Sequence, residues 1–188
     1  MDSPLPGRYV LGMPANERVP NAEAVLASYF ARYAPAVAKL GKALRAKLRA
    51  RLPGLFEIVY LYEKQQSLVI SYSPSVRGYE GLCALALYPD CVKLFFTNGA
   101  LLSKADPKKR LQGSGKTARY VVLKSVADFG REDIQTLMAA ALKLANVRLD
   151  PGAKGSVIMK VESQKRRARR TSKAARPTPA PRSAKPRR

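Results

Sequence analysis

Histidine is absent from all 188 residues. Its absence removes Ser-His-Asp and Cys-His nucleophile systems, the usual zinc hydrolase sites, and the commonest general base at neutral pH. Cysteine is nearly as scarce: Cys83 and Cys91 are the whole complement, too few to ligate zinc, and they read as reduced, small core hydrophobes. With Pro89-Asp90 as a two-residue turn, Tyr88 faces Cys91 and Cys83 pairs near Phe96. The two sulfurs then lie several residues apart along the ladder, where a disulfide is awkward. Long apolar runs are missing too, since the longest, 82–88, has strand length and falls far short of the roughly 18 residues of a spanning helix. The N-terminus, Met1-Asp2-Ser3-Pro4-Leu5-Pro6, shows neither the positive start nor the apolar stretch of a signal peptide. The expectation is a cytoplasmic protein with no membrane span, nucleoid-associated if it binds DNA. No catalytic constellation, metal site or cofactor is expected, so the chain reads as a non-enzyme.

Acidic residues are the other deficit. Thirteen Asp and Glu stand against 35 Lys and Arg, for a formal net charge of +22. Such a chain repels itself unless counter-ions or a polyanionic partner neutralise it. The excess is uneven: from Lys165 onward there are eleven basic residues and no acidic one.

The hydrophobic fraction of 46% suffices for one domain with a true core but not for two. Residues 1–20 carry four prolines and no periodicity and read as an extended lead-in. Asn21 caps a helix whose apolar face is Val25, Leu26, Tyr29, Phe30 and Tyr33. Pro35 either kinks that helix or begins a second one. The second runs to Pro53-Gly54 on a stripe of Val37, Leu40, Leu44, Leu48 and Leu52. Its remaining arc, Lys39, Lys42, Arg45, Lys47, Arg49 and Arg51, contains no carboxylate; it reads as a solvated face or, because six unopposed cations repel each other, as a face for an anionic surface.

The period then changes to that of strands at 56–62, 68–72, 82–88, 91–97 and 119–124, separated by turn signals such as Ser73-Pro74, Asn98-Gly99 and Asp106-Pro107. A helix over 131–145 comes next, with Glu132 and Asp133 in its first turn and Ile134, Leu137, Met138, Ala141, Leu142 and Ala145 facing inward. An edge strand at 157–161 closes the fold. The expected class is α+β, a compact single domain over 21–161 with a curved, mostly antiparallel sheet of five or six strands packed by N-terminal and C-terminal helices. Residues 162–188 are expected to be a disordered basic tail. Most phenylalanines and tyrosines fall at core-facing spacing, which leaves too few exposed rings for base stacking.

Tyr60, the run Leu68-Val69-Ile70-Ser71-Tyr72, Tyr88-Pro89, Leu94-Phe95-Phe96, Gly99-Ala100, Asp106-Pro107, Leu111, Gly113-Ser114-Gly115-Lys116 and Arg119 together resemble the YdhG-like domain family. The resemblance covers about residues 21–146. It implies a compact α+β domain with helices against a curved antiparallel sheet, and it brings no agreed catalytic residues. One branch of that family has been likened to frataxin-type iron chaperones. Iron binding of that kind uses clustered carboxylates, whereas here the acids are scattered pairs such as Glu132 and Asp133.

Gly113-Ser114-Gly115-Lys116-Thr117 ends like a nucleotide-binding P-loop, but Arg110 stands where the first glycine belongs. The next run, Tyr120-Val121-Val122-Leu123, reads as a strand rather than the required helix. The bland alternative is a glycine-rich turn. The functional one is an anion-binding loop in which the amides of Gly113 and Gly115 join Lys116 and Arg119, with Lys108, Lys109 and Arg110 nearby.

The tail offers the clearest signal. Lys165, Arg166, Arg167, Arg169, Arg170, Lys173, Arg176 and Arg182 lie among Ala, Pro and Ser, a composition unable to bury enough apolar area to order itself. Prolines at 177, 179, 181 and 186 favour extended conformers that present cations along a strand of phosphates. Non-specific nucleic-acid binding through counter-ion release is therefore the leading expectation. The folded domain would add a role for an unidentified small anion or protein. The competing expectation is a small-ligand or metal-handling, iron-chaperone-like domain whose tail is incidental. Attraction to an anionic membrane needs no more than charge, yet the tail has no apolar anchor.

Overall fold

The computed structural model describes residues 21–78, 80–153 and 155–160. Asn21 adopts a left-handed conformation (φ 78°), and its side chain accepts a hydrogen bond from the Ala24 amide, starting helix α1, Ala22–Phe30. Pro35 occupies the first turn of a separate helix, α2, Pro35–Arg51, where its missing N–H and fixed φ cost nothing. Of the two options the sequence left open at Pro35, the second is therefore the one adopted.

Six strands make one sheet: β1 Phe56–Tyr62, β2 Ser67–Ser73, β3 Cys83–Leu87, β4 Val92–Phe96, β5 Arg119–Leu123 and β6 Val157–Lys160. Their order is β5-β4-β3-β2-β1-β6. All neighbours are antiparallel except β6, which runs parallel to β1 with Glu57 opposite Val157 and Tyr60 opposite Lys160. The sheet is thus open, curved and mostly antiparallel, as expected from the alternating runs. The Pro89-Asp90 turn behaves as read: the Tyr88 amide donates to the Cys91 carbonyl and Cys83 stands opposite Phe96. Both cysteines are free thiols.

Between β5 and β6 the chain crosses from one edge of the sheet to the other through helices α3, Val126–Phe129, and α4, Glu132–Leu144. The short α3 was not expected. It is fixed by a capping box in which Ser125 accepts from the Asp128 amide while the Asp128 carboxylate accepts from the Ser125 amide. A 3₁₀ segment, Gly99–Ala105, replaces what reads in sequence as a simple turn.

Strand alternation divides the sheet into two unlike faces. On one, Val59, Ile70, Leu85, Leu94, Val121 and their register partners meet Leu26, Phe30, Leu44, Leu48, Phe129, Leu137 and Met138 from the helices in a single core cluster. The opposite face carries Ile58, Tyr60, Tyr62, Val69, Phe95, Tyr120 and Val122, none of which belongs to that core. The expectation that most rings point inward holds in part, since no described ring is fully exposed but several sit on this second face. Phe30, Phe96 and Tyr72 are buried, but Tyr60, Tyr62, Phe95 and Tyr120 stand half-buried on the side that carries no helix among the described residues.

No helix among the described residues is long and apolar enough to cross a membrane. Residues 1–20 and 161–188, including every tail cation named above, lie outside the described residues.

Candidate functional site

The glycine-rich loop is a hairpin extension between the 3₁₀ segment and β5. Gln112 and Tyr120 form an isolated bridge with hydrogen bonds in both directions, 2.7 and 3.0 Å, which pinches residues 113–119 into a projecting turn. Gly113 sits at φ +103°, a conformation that side chains strain to adopt. Gly115 does not need such freedom: a Cβ there would meet only the Ala118 carbonyl, at 3.6 Å.

The loop is anchored from below, where the Ala100 amide donates to Thr117. Gly99 lies so close to Arg119 that an added Cβ would stand 2.5 Å from the Arg119 Cβ and 2.8 Å from its backbone nitrogen. Arg119 turns back on its own loop, donating through Nη1 to the carbonyls of Gly115 and Ala118. Lys116 is exposed at the tip. The four predicted residues are therefore on one turn, with Arg119 engaged as its clamp and Lys116 as its outward charge. A strand, β5, comes after this loop, so the helix N-terminus that a P-loop uses for phosphate is missing from this position.

Beside the loop, a cleft of about 290 Å³ is lined by Arg110, Gln112, Lys124, Asp128, Arg131 and Asp133 among others. Two acids temper its charge. Asp133, 8% exposed, pairs with Arg110 at 3.1 Å and Arg131 at 2.9 Å, and its hydrogen bond from Arg131 holds its carboxyl below the usual range. Burial works against ionisation of Asp128, but hydrogen bonds from the amides of Lys124 and Ser125 win and lower its pKa. Asp106 organises the approach to the loop by accepting from the amides of Arg110 and Leu111, both at 2.8 Å. Lys108 and Lys109 remain exposed there.

The basic arc of α2 is not a row of unopposed cations. Arg45 reaches Glu57 on β1 (Nε to Oε1, 2.9 Å) and forks onto both oxygens of Glu23 from α1, while Arg49 also contacts Glu23 at 2.9 Å. Glu57 is 3% exposed and Arg45 13%, and the Tyr72 hydroxyl donates to Glu57 at 3.1 Å. Arg51 donates to Gln135 of α4. The cations were expected to be unopposed because their acids lie 12 and 22 residues away in sequence, on other elements. Burial and the Glu57 charge push the Tyr72 hydroxyl pKa well up, and the Arg45 hydrogen bond pulls that of Glu23 down. Lys39, Lys42 and Lys47 keep exposed positions on α2.

The acids of the folded part are thus largely consumed. Among residues 21–160 there are 22 basic and 10 acidic side chains. Glu23, Glu57 and Asp133 are in ion pairs, and Asp106, Asp128 and Asp150 accept backbone amides. Among the described residues no group of three His, Cys, Asp or Glu side chains is placed to hold a metal ion. Comparison with protein-family models, curated proteins and solved structures finds no match for this chain.

Proposed function

We propose that this chain is a non-enzymatic, YdhG-like accessory protein that binds nucleic acid without sequence preference, chiefly through its basic tail. The observation that carries this reading is the disposition of charge. Eleven cations stand on the last 24 residues with no acid among them, and in the folded part six of ten acids are engaged by arginines or backbone amides. The outward balance is cationic on both portions. Contact with phosphates releases condensed counter-ions, which supplies affinity independent of base identity.

Comparing the intact chain with one ending at Glu162 tests the proposal. Fluorescence anisotropy on a labelled 20-mer at 100 mM salt is expected to show at least tenfold weaker binding after the deletion. Equal affinities would contradict it.

A further inference from the structure

The helix-free face of the sheet differs from an ordinary solvated face in two respects. The strand residues directed to it include Tyr60, Tyr62, Phe95 and Tyr120, together with Lys93 and Lys160, and no carboxylate. The rings are also arranged. Phe95 and Tyr120 lie 5.1 Å apart at a 42° tilt, and Tyr60 and Tyr62 stack at 6.1 Å. The Lys93 ammonium is held between two rings, 4.6 Å from Tyr88 and 4.7 Å from Tyr120, which fixes a cation on the surface.

Between the two ring clusters the face is made of short side chains, Val69 beside Ala86 and Ser71 beside Ala84. Three strand spacings separate β1 from β4, about 14 Å, and the segment at Gly81 lies against Ser71 between them, so the two ring clusters are separate patches. The segment around Gly78 closes the β1 end over Ile58, and Lys160 donates to the Arg77 carbonyl there at 2.7 Å. The β3–β5 side, with Lys93, Phe95 and Tyr120, has no helix over it among the described residues.

We propose that this face, centred on Phe95, Tyr120 and Lys93, is a stacking platform for the unpaired bases of single-stranded nucleic acid. The inference rests on the nucleic-acid reading above and names its substrate class. Every base has a π-face, so rings on an accessible sheet hold a single strand with little regard to sequence, while a duplex keeps its bases stacked on each other and out of reach. Charge and position agree. Cations without acids suit phosphates, and the chain leaves β6 at Lys160, opposite Tyr60, five residues before Lys165. At about 3.5 Å per residue Lys165 lies within about 18 Å of Lys160, and β6 stands four strand spacings, about 19 Å, from β4, a span that a single strand of several nucleotides covers. One strand can therefore lie on the rings while the tail holds its phosphates.

The test uses the full-length chain, a fluorescein-labelled oligo-dT 20-mer and a 20-base-pair duplex at one salt concentration. The parent is expected to bind oligo-dT about tenfold more tightly than the duplex. The double variant Phe95→Ala/Tyr120→Ala loses about tenfold on oligo-dT with duplex binding unchanged, whereas Tyr120→Phe, which keeps the ring, binds as the parent. Neutralising Lys165, Arg166, Arg167, Arg169 and Arg170 to Gln weakens both ligands alike. If it weakens neither, the tail reading fails while the platform stands. Photo-crosslinking of 5-iodouracil in the oligonucleotide to the parent protein gives a readout independent of variant folding, with adducts expected at Phe95, Tyr120 or Tyr88. Equal affinity for single strand and duplex, an unaffected double variant that melts as the parent, or adducts confined to the tail would overturn the proposal. So would a dimer in sedimentation that the double variant dissolves, since a second copy would then occupy the face.

Discussion

The two faces of one sheet treat charge in opposite ways. On the helix side the sole strand carboxylate, Glu57, is buried under Arg45 and the Tyr72 hydroxyl, so charge there is neutralised inside the fold. On the open side Lys93 lies over the rings of Tyr88 and Tyr120 and Lys160 donates to a backbone carbonyl, and neither has a carboxylate ion pair among the described residues. The difference teaches that the same alternating strands build a core and an interface at once. Substitutions on the first face should be read out in stability and those on the second in binding.

Removing one member of the buried pair gives the largest expected effect. Arg45→Ala takes from the buried Glu57 its nearest partner, leaving Arg49 at 3.7 Å, and urea denaturation should show a loss of about 3 kcal/mol. Arg45→Met combined with Glu57→Leu and Tyr72→Phe should recover most of it, because neither an uncompensated charge nor an orphaned Tyr72 hydroxyl remains. Oligo-dT binding by the folded fraction should not change in either variant. A binding defect there would break the division between the faces.

Next come the glycines beneath and within the loop. Gly99→Ala drives a methyl group into the Arg119 backbone and should cost about 1–3 kcal/mol. Gly113→Ala meets a strained φ, worth about 1–2 kcal/mol, and Gly115→Ala should be close to neutral. Chemical denaturation of the three variants checks that order.

Much of this architecture was legible in the chain. Helical and strand periods located the principal elements, Pro35 marked the break between α1 and α2, and Tyr120-Val121-Val122-Leu123 correctly argued against a P-loop because β5 stands there. The open face was not legible. Alternation says that Phe95 and Phe96 point oppositely, but not which side the helices will cover, and an aromatic run reads as core from composition alone. The Arg45–Glu57–Glu23 network joins three elements and leaves no i to i+4 trace. Ser125-Val126-Ala127-Asp128, in contrast, carries the spacing of a capping box and was open to detection.

Acid should expose the helix-side network gently. The pKa of Glu23 lies below its ordinary 4.5, drawn down first by its hydrogen bond from Arg45. For a depressed carboxylate the stabilisation is fully present above the unfolded value and is lost as pH falls through the folded one. Thermal midpoints should therefore hold from pH 7 to 5 and decline below about 4.5. In Glu23→Gln that decline should be shallower.

The smallest effects concern groups whose environment alone separates them. Burial pushes the Cys83 thiol up to about 12, and Cys91 is raised less from a half-exposed site. A thiol reagent at pH 8 should label one cysteine in the native protein and the second only after unfolding. At the loop, Lys116→Met should diminish amide shifts induced by millimolar phosphate without changing the melting midpoint. Arg119→Met, which loses the clamp onto Gly115 and Ala118, should lower that midpoint.

Salt titration of oligo-dT binding bears on the polyanion reading, and for the parent chain it does so without any need for variants. If outward cations make this a polyanion-binding protein, log Kd for the full chain should rise linearly with log salt, with a slope of about 4 or more. Each neutralised phosphate on a single strand contributes about 0.7, so replacing the five cations at 165, 166, 167, 169 and 170 by Gln should remove about three units. A slope within one unit of zero, or one unchanged by that neutralisation, would contradict the account.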